Sequence, residues 1–139
     1  MESTLIYQEL TYALNGIFFE VHNTLGRYCN EQQYADAIEQ HPKQRGIPYE
    51  RERILEPAFD GERPRRHRVD FLVKGAIVIE VKAKRMVGRE EYIQTLRYLT
   101  ALDCKLGMIV NFRQHLLVPK RVINPKASVN GIHVSASSV

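Results

Sequence analysis

The segment VDFLVKGAIVIEVK, residues 69–82, constrains the fold more than any other part of the chain. Two apolar runs rich in β-branched residues flank Lys74-Gly75-Ala76, the pattern of a β-hairpin. The second run, Ala76-Ile77-Val78-Ile79, is continuous and reads as a central strand covered on both faces. Asp70, Glu80 and Lys82 interrupt the pattern. An ionised side chain is costly to bury unless it is paired or holds a metal, so these three groups need a partner.

Side chains alternate faces along a strand, which puts Glu80 and Lys82 on one face. The turn decides whether Asp70 joins them. A two-residue loop, Lys74-Gly75, pairs Val73 with Ala76 and sets Asp70 across from Ile79. A three-residue loop pairs Val73 with Ile77 and Asp70 with Glu80, with Gly75 able to supply the left-handed residue such loops use. The second register is preferred because it gathers the three charges. Carboxylates facing each other across a ladder repel, and a hard divalent cation removes the conflict. Mg²⁺ is commonly held by one or two carboxylates together with waters and substrate phosphate. Lys82, one step along, would reach the phosphate or orient a water. The competing reading is an ordinary ion pair of Asp70 with Lys82 or a nearby arginine.

Around this hairpin the spacing predicts an α-α-β-β-β-α-β order. Apolar residues from Leu5 to Val21 recur at helical intervals, with Ser3 as cap and Gly26 as stop. A second helix is expected from Asn30 through Glu39, weakened or ended by His41-Pro42. Strands are expected at Glu52–Phe59, His67–Val73 and Ile77–Ala83, with Pro57 pushing the first towards an edge. Arg89 to Leu102 is helical, with Ile93, Leu96, Leu99 and Leu102 as its packing face. Leu106 to Phe112 is a buried strand, which makes the preceding helix a crossover. Leu116-Leu117-Val118 and Ile132-His133-Val134 are expected as edge strands, and the Ser-rich end as frayed.

The 139 residues fit one domain, with residues 1–122 forming it and 123–139 an extension. The net charge of +4 and pI of about 9.2 are mild and would only ease the approach of a polyanion. Cys29 and Cys104 form no CxxC pair, which indicates neither a zinc site nor a disulfide framework. No leader pattern or membrane-length apolar run is visible, so the cytoplasm is the expected compartment.

The order of elements and the D…ExK pattern resemble the PD-(D/E)XK nuclease superfamily, whose core is αβββαβ. Within it the chain resembles the GxxExxY proteins, through Phe19-Glu20-Val21-His22-Asn23-Thr24-Leu25-Gly26, Glu31-Gln32-Gln33-Tyr34, Arg68-Val69-Asp70-Phe71-Leu72-Val73, Ile79-Glu80-Val81-Lys82, Gln94-Thr95-Leu96-Arg97-Tyr98-Leu99 and Leu106-Gly107-Met108-Ile109-Val110-Asn111-Phe112. Two departures stand out. Tyr28 occupies the position of the group's first glycine, where the turn would differ or the tyrosine would cap the cleft. Val69 replaces the proline of the Pro-Asp pair.

The resemblance implies a restriction-endonuclease-like α/β fold with a mixed central sheet flanked by helices, and a Mg²⁺- or Mn²⁺-dependent nuclease acting on DNA. Asp70, Glu80 and Lys82 match the superfamily's catalytic positions. Gln94 and Tyr98, one helical turn apart, match its QxxxY element and would hold a phosphate or organise the lysine. Asp70, Glu80 and the Val81 carbonyl would bind the metal, with Glu31 assisting. Arg66 and Arg68, sharing the alternation of Asp70, and Lys84 and Arg85 beyond Lys82, are candidates for backbone phosphates. Each could instead be a solvated charge, and Glu31 simply a first-turn acid. His22 reads more naturally as a structural residue. The alternatives are a non-catalytic module binding nucleic acid or a protein, and a homodimer formed through edge strands or the N-terminal helix. No reader domain is evident, so a targeting partner is a further expectation.

Overall fold

The computed structural model describes residues 7–64, 67–129 and 132–133. Helices α1 (Gln8–Leu25) and α2 (Glu31–Arg45) precede strands β1 (Tyr49–Ile54), β2 (Arg68–Val73) and β3 (Ile77–Lys82). Helix α3 (Arg89–Leu102), β4 (Leu106–Asn111) and β5 (Lys120–Ile123) follow, then β6 (Ser128–Val129) and β7 (Ile132–His133). Strands β1 to β5 form one sheet in sequence order, parallel between β3 and β4 and antiparallel at the other three junctions. Strands β6 and β7 pair separately. This is the mixed α/β sheet expected.

Helices cover both faces. On one, Leu14, Ile17, Phe18 and Val21 of α1 and Tyr34, Ala35 and Ile38 of α2 pack on Phe71, Val73, Ile77, Ile79 and Val81. On the other, Tyr98 and Leu99 of α3 meet Val69, Leu72, Val78, Ile109 and Val122. Strands β3 and β4 are therefore sealed on both sides, as their continuous apolar runs require.

Several boundaries differ from expectation. Ser3 lies outside the described residues, and α1 begins after Tyr7. Gly26 ends α1 with φ of 78°, its N–H donating to the His22 carbonyl. Asn30 caps α2 as expected, in a reciprocal box in which its side chain and that of Gln33 each accept the other's backbone N–H at 2.8 Å. Pro42, however, does not end the helix. It lies buried inside α2, and the chain leaves the helix only at Gly46, where the N–H groups of Gly46 and Ile47 both donate to the Pro42 carbonyl. A proline forfeits one helical hydrogen bond, and here the burial of its ring and this glycine cap offset the loss.

Strand β1 is shifted to Tyr49–Ile54, with Pro57 beyond its end. It is an edge strand, where the charged run Tyr49-Glu50-Arg51-Glu52-Arg53 is tolerated because alternate side chains meet solvent. Leu116-Leu117-Val118 is not a strand; β5 begins two residues later and pairs antiparallel with β4. Val134 lies outside the described residues.

Candidate active site

The hairpin takes the three-residue loop. Val73 pairs with Ile77, Leu72 with Val78 and Phe71 with Ile79, with both Lys74 and Gly75 at positive φ. The ladder closes at Phe71–Ile79, so Asp70 and Glu80 do not form a ladder pair. On its other side β2 is interrupted at the same residue. The register with β1 passes from Arg51–Phe71 to Arg53–Val69, and the intervening Glu52 has φ of 55°, uncommon for a residue with a side chain. Asp70 thus stands where the sheet opens.

Side chains fill the gap that the backbone leaves. The Val81 N–H donates to Asp70 Oδ2 at 2.7 Å, and the Asp70 N–H donates to Glu80 Oε2 at 3.1 Å. Each strand end is held by the other's carboxylate. In extended chain the N–H and C=O of one residue point to the same side, so the Val81 carbonyl also turns towards Asp70.

The carboxylates line different cavities on the two sides of the sheet, so Asp70 does not share the face of Glu80 and Lys82 that the three-residue loop led one to expect. Asp70 lines one of about 30 Å³ with Glu31, Glu52 and Val81, on the α2 side. That is room for an ion or about one water. Glu80 and Lys82 line one of about 330 Å³ with Glu91, Gln94, Thr95 and Tyr98, on the α3 side. Glu31 reaches from the first turn of α2 to accept the Ala83 N–H at 3.3 Å. Gln94 donates through Nε2 to the Tyr98 hydroxyl, so this pair is joined and faces the cleft instead of open solvent.

Burial, and then the charge of Asp70, push the Glu80 carboxyl up to about 8, against the Asp70 N–H and Lys82, which favour its ionised form. Asp70 is also raised, chiefly by burial, and further by Glu31 and Glu52. Two partly desolvated carboxylates that resist ionising together are the condition a cation relieves. Lys82 itself has no ion pair with a carboxylate among the described residues.

Asp70, Glu31 and the Val81 main chain line the smaller cavity and, as oxygen donors, fit a hard divalent ion in chemistry and in size, whereas Glu80 lines the larger cavity. Among the described residues, no three His, Cys, Asp or Glu side chains are gathered into a metal-ligating group.

The flanking cations are placed differently. Lys84 is bound to Glu91 at 2.5 Å, and its ammonium with the Gly88 N–H holds the Glu91 carboxyl down at about 2. Arg68 is exposed and lies 3.5 Å from Glu52. Arg85 is exposed on the connection to α3. Arg66 lies outside the described residues. His22 is structural, its Nε2 at 2.8 Å from the Gln114 carbonyl.

The structure adds residues that the sequence did not single out. Asn111 ends β4 opposite Lys82 and is bonded to the Lys84 main chain through both Oδ1 and Nδ2, which fixes the chain just past the lysine. Its signal was a buried amide closing an apolar strand. Glu52 joins the Asp70 cavity, and Arg51 lines it while bound to Asp36, Glu39 and Gln32 of α2. Neither stands out within so charged a strand.

A mixed sheet with an acidic residue where β2 parts from β3, and Glu-x-Lys ending β3 under a crossover helix, defines a restriction-endonuclease-like protein. A family model of the PD-(D/E)XK nuclease superfamily matches residues 8–123, and the chain belongs to that superfamily. Its members usually use divalent metals and act on nucleic acid. Compared with curated proteins and with solved structures, the chain matches none significantly.

Proposed function

We propose that the protein is a Mg²⁺- or Mn²⁺-dependent nuclease that hydrolyses phosphodiester bonds, with DNA as its substrate. One observation carries this reading: Asp70 and Glu80 meet at the opening of the sheet with Lys82 beside them, and each carboxylate is fixed by a main-chain N–H of the neighbouring strand. Asp70, Glu80 and the Val81 carbonyl, with Glu31 assisting, would hold the cation. Bound there, it would act as a Lewis acid and help to generate the nucleophile. Lys82 orients the attacking water and stabilises the charge that develops on the phosphoryl group. Gln94 and Tyr98 hold the phosphate or the lysine from the wall of the larger cavity. Arg68 and Arg85 meet the backbone phosphates.

Membership of the GxxExxY group is part of the same proposal. Glu31 and Tyr34 keep that motif's spacing, and Tyr28, in place of its glycine, does not take a positive φ. The positive-φ residue of this turn is Gly26.

The test is cleavage of a labelled DNA in Mg²⁺ or Mn²⁺. Asp70→Ala and Glu80→Ala are expected to abolish it, and Lys82→Ala to slow it by roughly 100-fold or more, with unchanged circular dichroism. Cleavage retained in both carboxylate variants excludes the assignment. A non-catalytic binding module is favoured by the lack of a three-residue metal-ligating group among the described residues. Calorimetry decides between them: a chain that takes up no Mg²⁺ or Mn²⁺ near about 1 mM belongs to that second class.

A further inference from the structure

Tyr28 is 76% exposed, yet it is not a loose side chain on a loop. The guanidinium carbons of Arg27 and Arg113 lie 5.2 and 5.5 Å from its ring centroid, within cation–π range. The two arginines are themselves cross-tied. Arg27 Nε donates to the Arg113 carbonyl at 2.8 Å, and Arg113 Nε donates to the Arg27 carbonyl at 3.0 Å. A large aromatic side chain is thus held out into water beside two fixed positive charges, with most of its surface open.

The cluster adjoins the candidate active site through the main chain. Arg113 Nη2 donates to the Ala83 carbonyl at 3.4 Å, and the N–H of the same Ala83 is bonded to Glu31. Ala83 directly follows Lys82. The cluster is thus tied to the main chain one residue beyond the lysine.

The geometry points to a docking platform for an unpaired stretch of nucleic acid beside the site: a base stacks on Tyr28, while the Nη groups of Arg27 and Arg113 take the flanking phosphates. Charge complementarity selects a polyanion, and the presented ring face selects one with accessible bases. In a duplex the base faces are covered by their neighbours, so the platform favours a single strand, and with the substrate proposed above a single strand of DNA, whose bases can stack on an aromatic ring. This names the substrate class of the nuclease site proposed above and rests on that reading for its location.

The experiment measures equilibrium binding by fluorescence anisotropy in EDTA, where no metal-dependent cleavage occurs, so its result is separate from that of the cleavage test. The full chain is titrated into labelled single-stranded DNA, single-stranded RNA and duplex DNA of one sequence, at several salt concentrations. The wild type is expected to prefer single-stranded DNA to both the RNA and the duplex. Tyr28→Ala weakens that complex by roughly 5- to 100-fold while leaving duplex binding and the salt slope unchanged, because no charge is removed. Tyr28→Phe keeps the affinity. Tyr28→Ala binding as well as the wild type, Tyr28→Phe falling as far as Tyr28→Ala, or a wild type that prefers the RNA or the duplex or binds none of the three would each overturn the proposal.

Discussion

Tyr34 sets the turn between α1 and α2, and with it the placement of Tyr28 and Glu31. Its ring is fully buried and stacks on Phe112 at 4.4 Å, and its hydroxyl donates to the Gly26 carbonyl at 2.6 Å and accepts from the Cys29 N–H at 3.2 Å. Tyr34→Phe keeps the stack and removes both hydrogen bonds. A buried polar group left without its partner costs about 1–3 kcal/mol, so urea denaturation should show a loss of that size with the fold retained. An unchanged midpoint would mean that the turn is held by packing alone. At this scale the sequence is readable where a residue contradicts its surroundings. Asp70, Glu80 and Lys82 stand out because charges are rare in apolar strands. Tyr34 stands out only through its spacing from Glu31. Glu52 and Arg51 do not, since one charge among several reveals neither a positive φ nor a cavity wall.

Helix α3 lies close to the sheet because Gly107 of β4 has no side chain. A methyl group there would stand 2.8 Å from Thr95 Cγ2 and 3.4 Å from a Leu99 methyl. Thr95 is 1% exposed and its hydroxyl donates to the Glu91 carbonyl, so it has little freedom to move aside. Gly107→Ala should therefore cost about 1–3 kcal/mol through overpacking. It should also shift Gln94 and Tyr98, which lie on the same helix face, and so lower the cleavage proposed for this site. Adding Thr95→Ser removes the clashing methyl and keeps the hydroxyl, and should restore part of the stability. A double variant no more stable than Gly107→Ala would place the strain elsewhere. The bounds of α3, from Arg89 to Leu102, are those its spacing predicts, yet the residues it buries most deeply are Thr95, Tyr98 and Leu99. Apolar periodicity marks Ile93 and Leu96 and passes over a threonine that fits because its partner is glycine. Proline misleads in the opposite direction at α2, since the cost of Pro42 is local while the burial that compensates it comes from tertiary packing. The shift of β1 has a related cause, because an edge strand needs only one apolar face.

Taken whole, the molecule keeps the acids of its candidate site in conflict with its own stability. The order of helices and strands was legible because central strands and crossover helices carry strong periodic signals. The opening of the sheet at Asp70 was not, because a ladder that stops one pair early leaves no mark in hydrophobicity. That opening carries the last prediction. Glu80 titrates near 8 in the folded protein against an ordinary 4.5, so between those values the metal-free fold holds a proton that the unfolded chain has released. Stability is then greatest below about pH 4.5 as far as this group is concerned, and falls as pH rises towards 8. Asp70, also raised, acts in the same sense. Glu91, held at about 2, acts in the opposite sense but only below pH 4.5. At about 1.4 kcal/mol per pH unit, the loss across the window is on the order of a few kcal/mol. Urea denaturation in EDTA should give a lower midpoint at pH 8 than at pH 5 for the wild type, and a much smaller difference for Glu80→Gln. Excess Mg²⁺ or Mn²⁺ at pH 8 should raise the wild-type midpoint and leave that of Glu80→Gln nearly unmoved, because the ionised carboxylate is what a cation would stabilise. Equal wild-type midpoints at the two pH values would show that Glu80 ionises without cost, and would remove the electrostatic reason for a cation at this site.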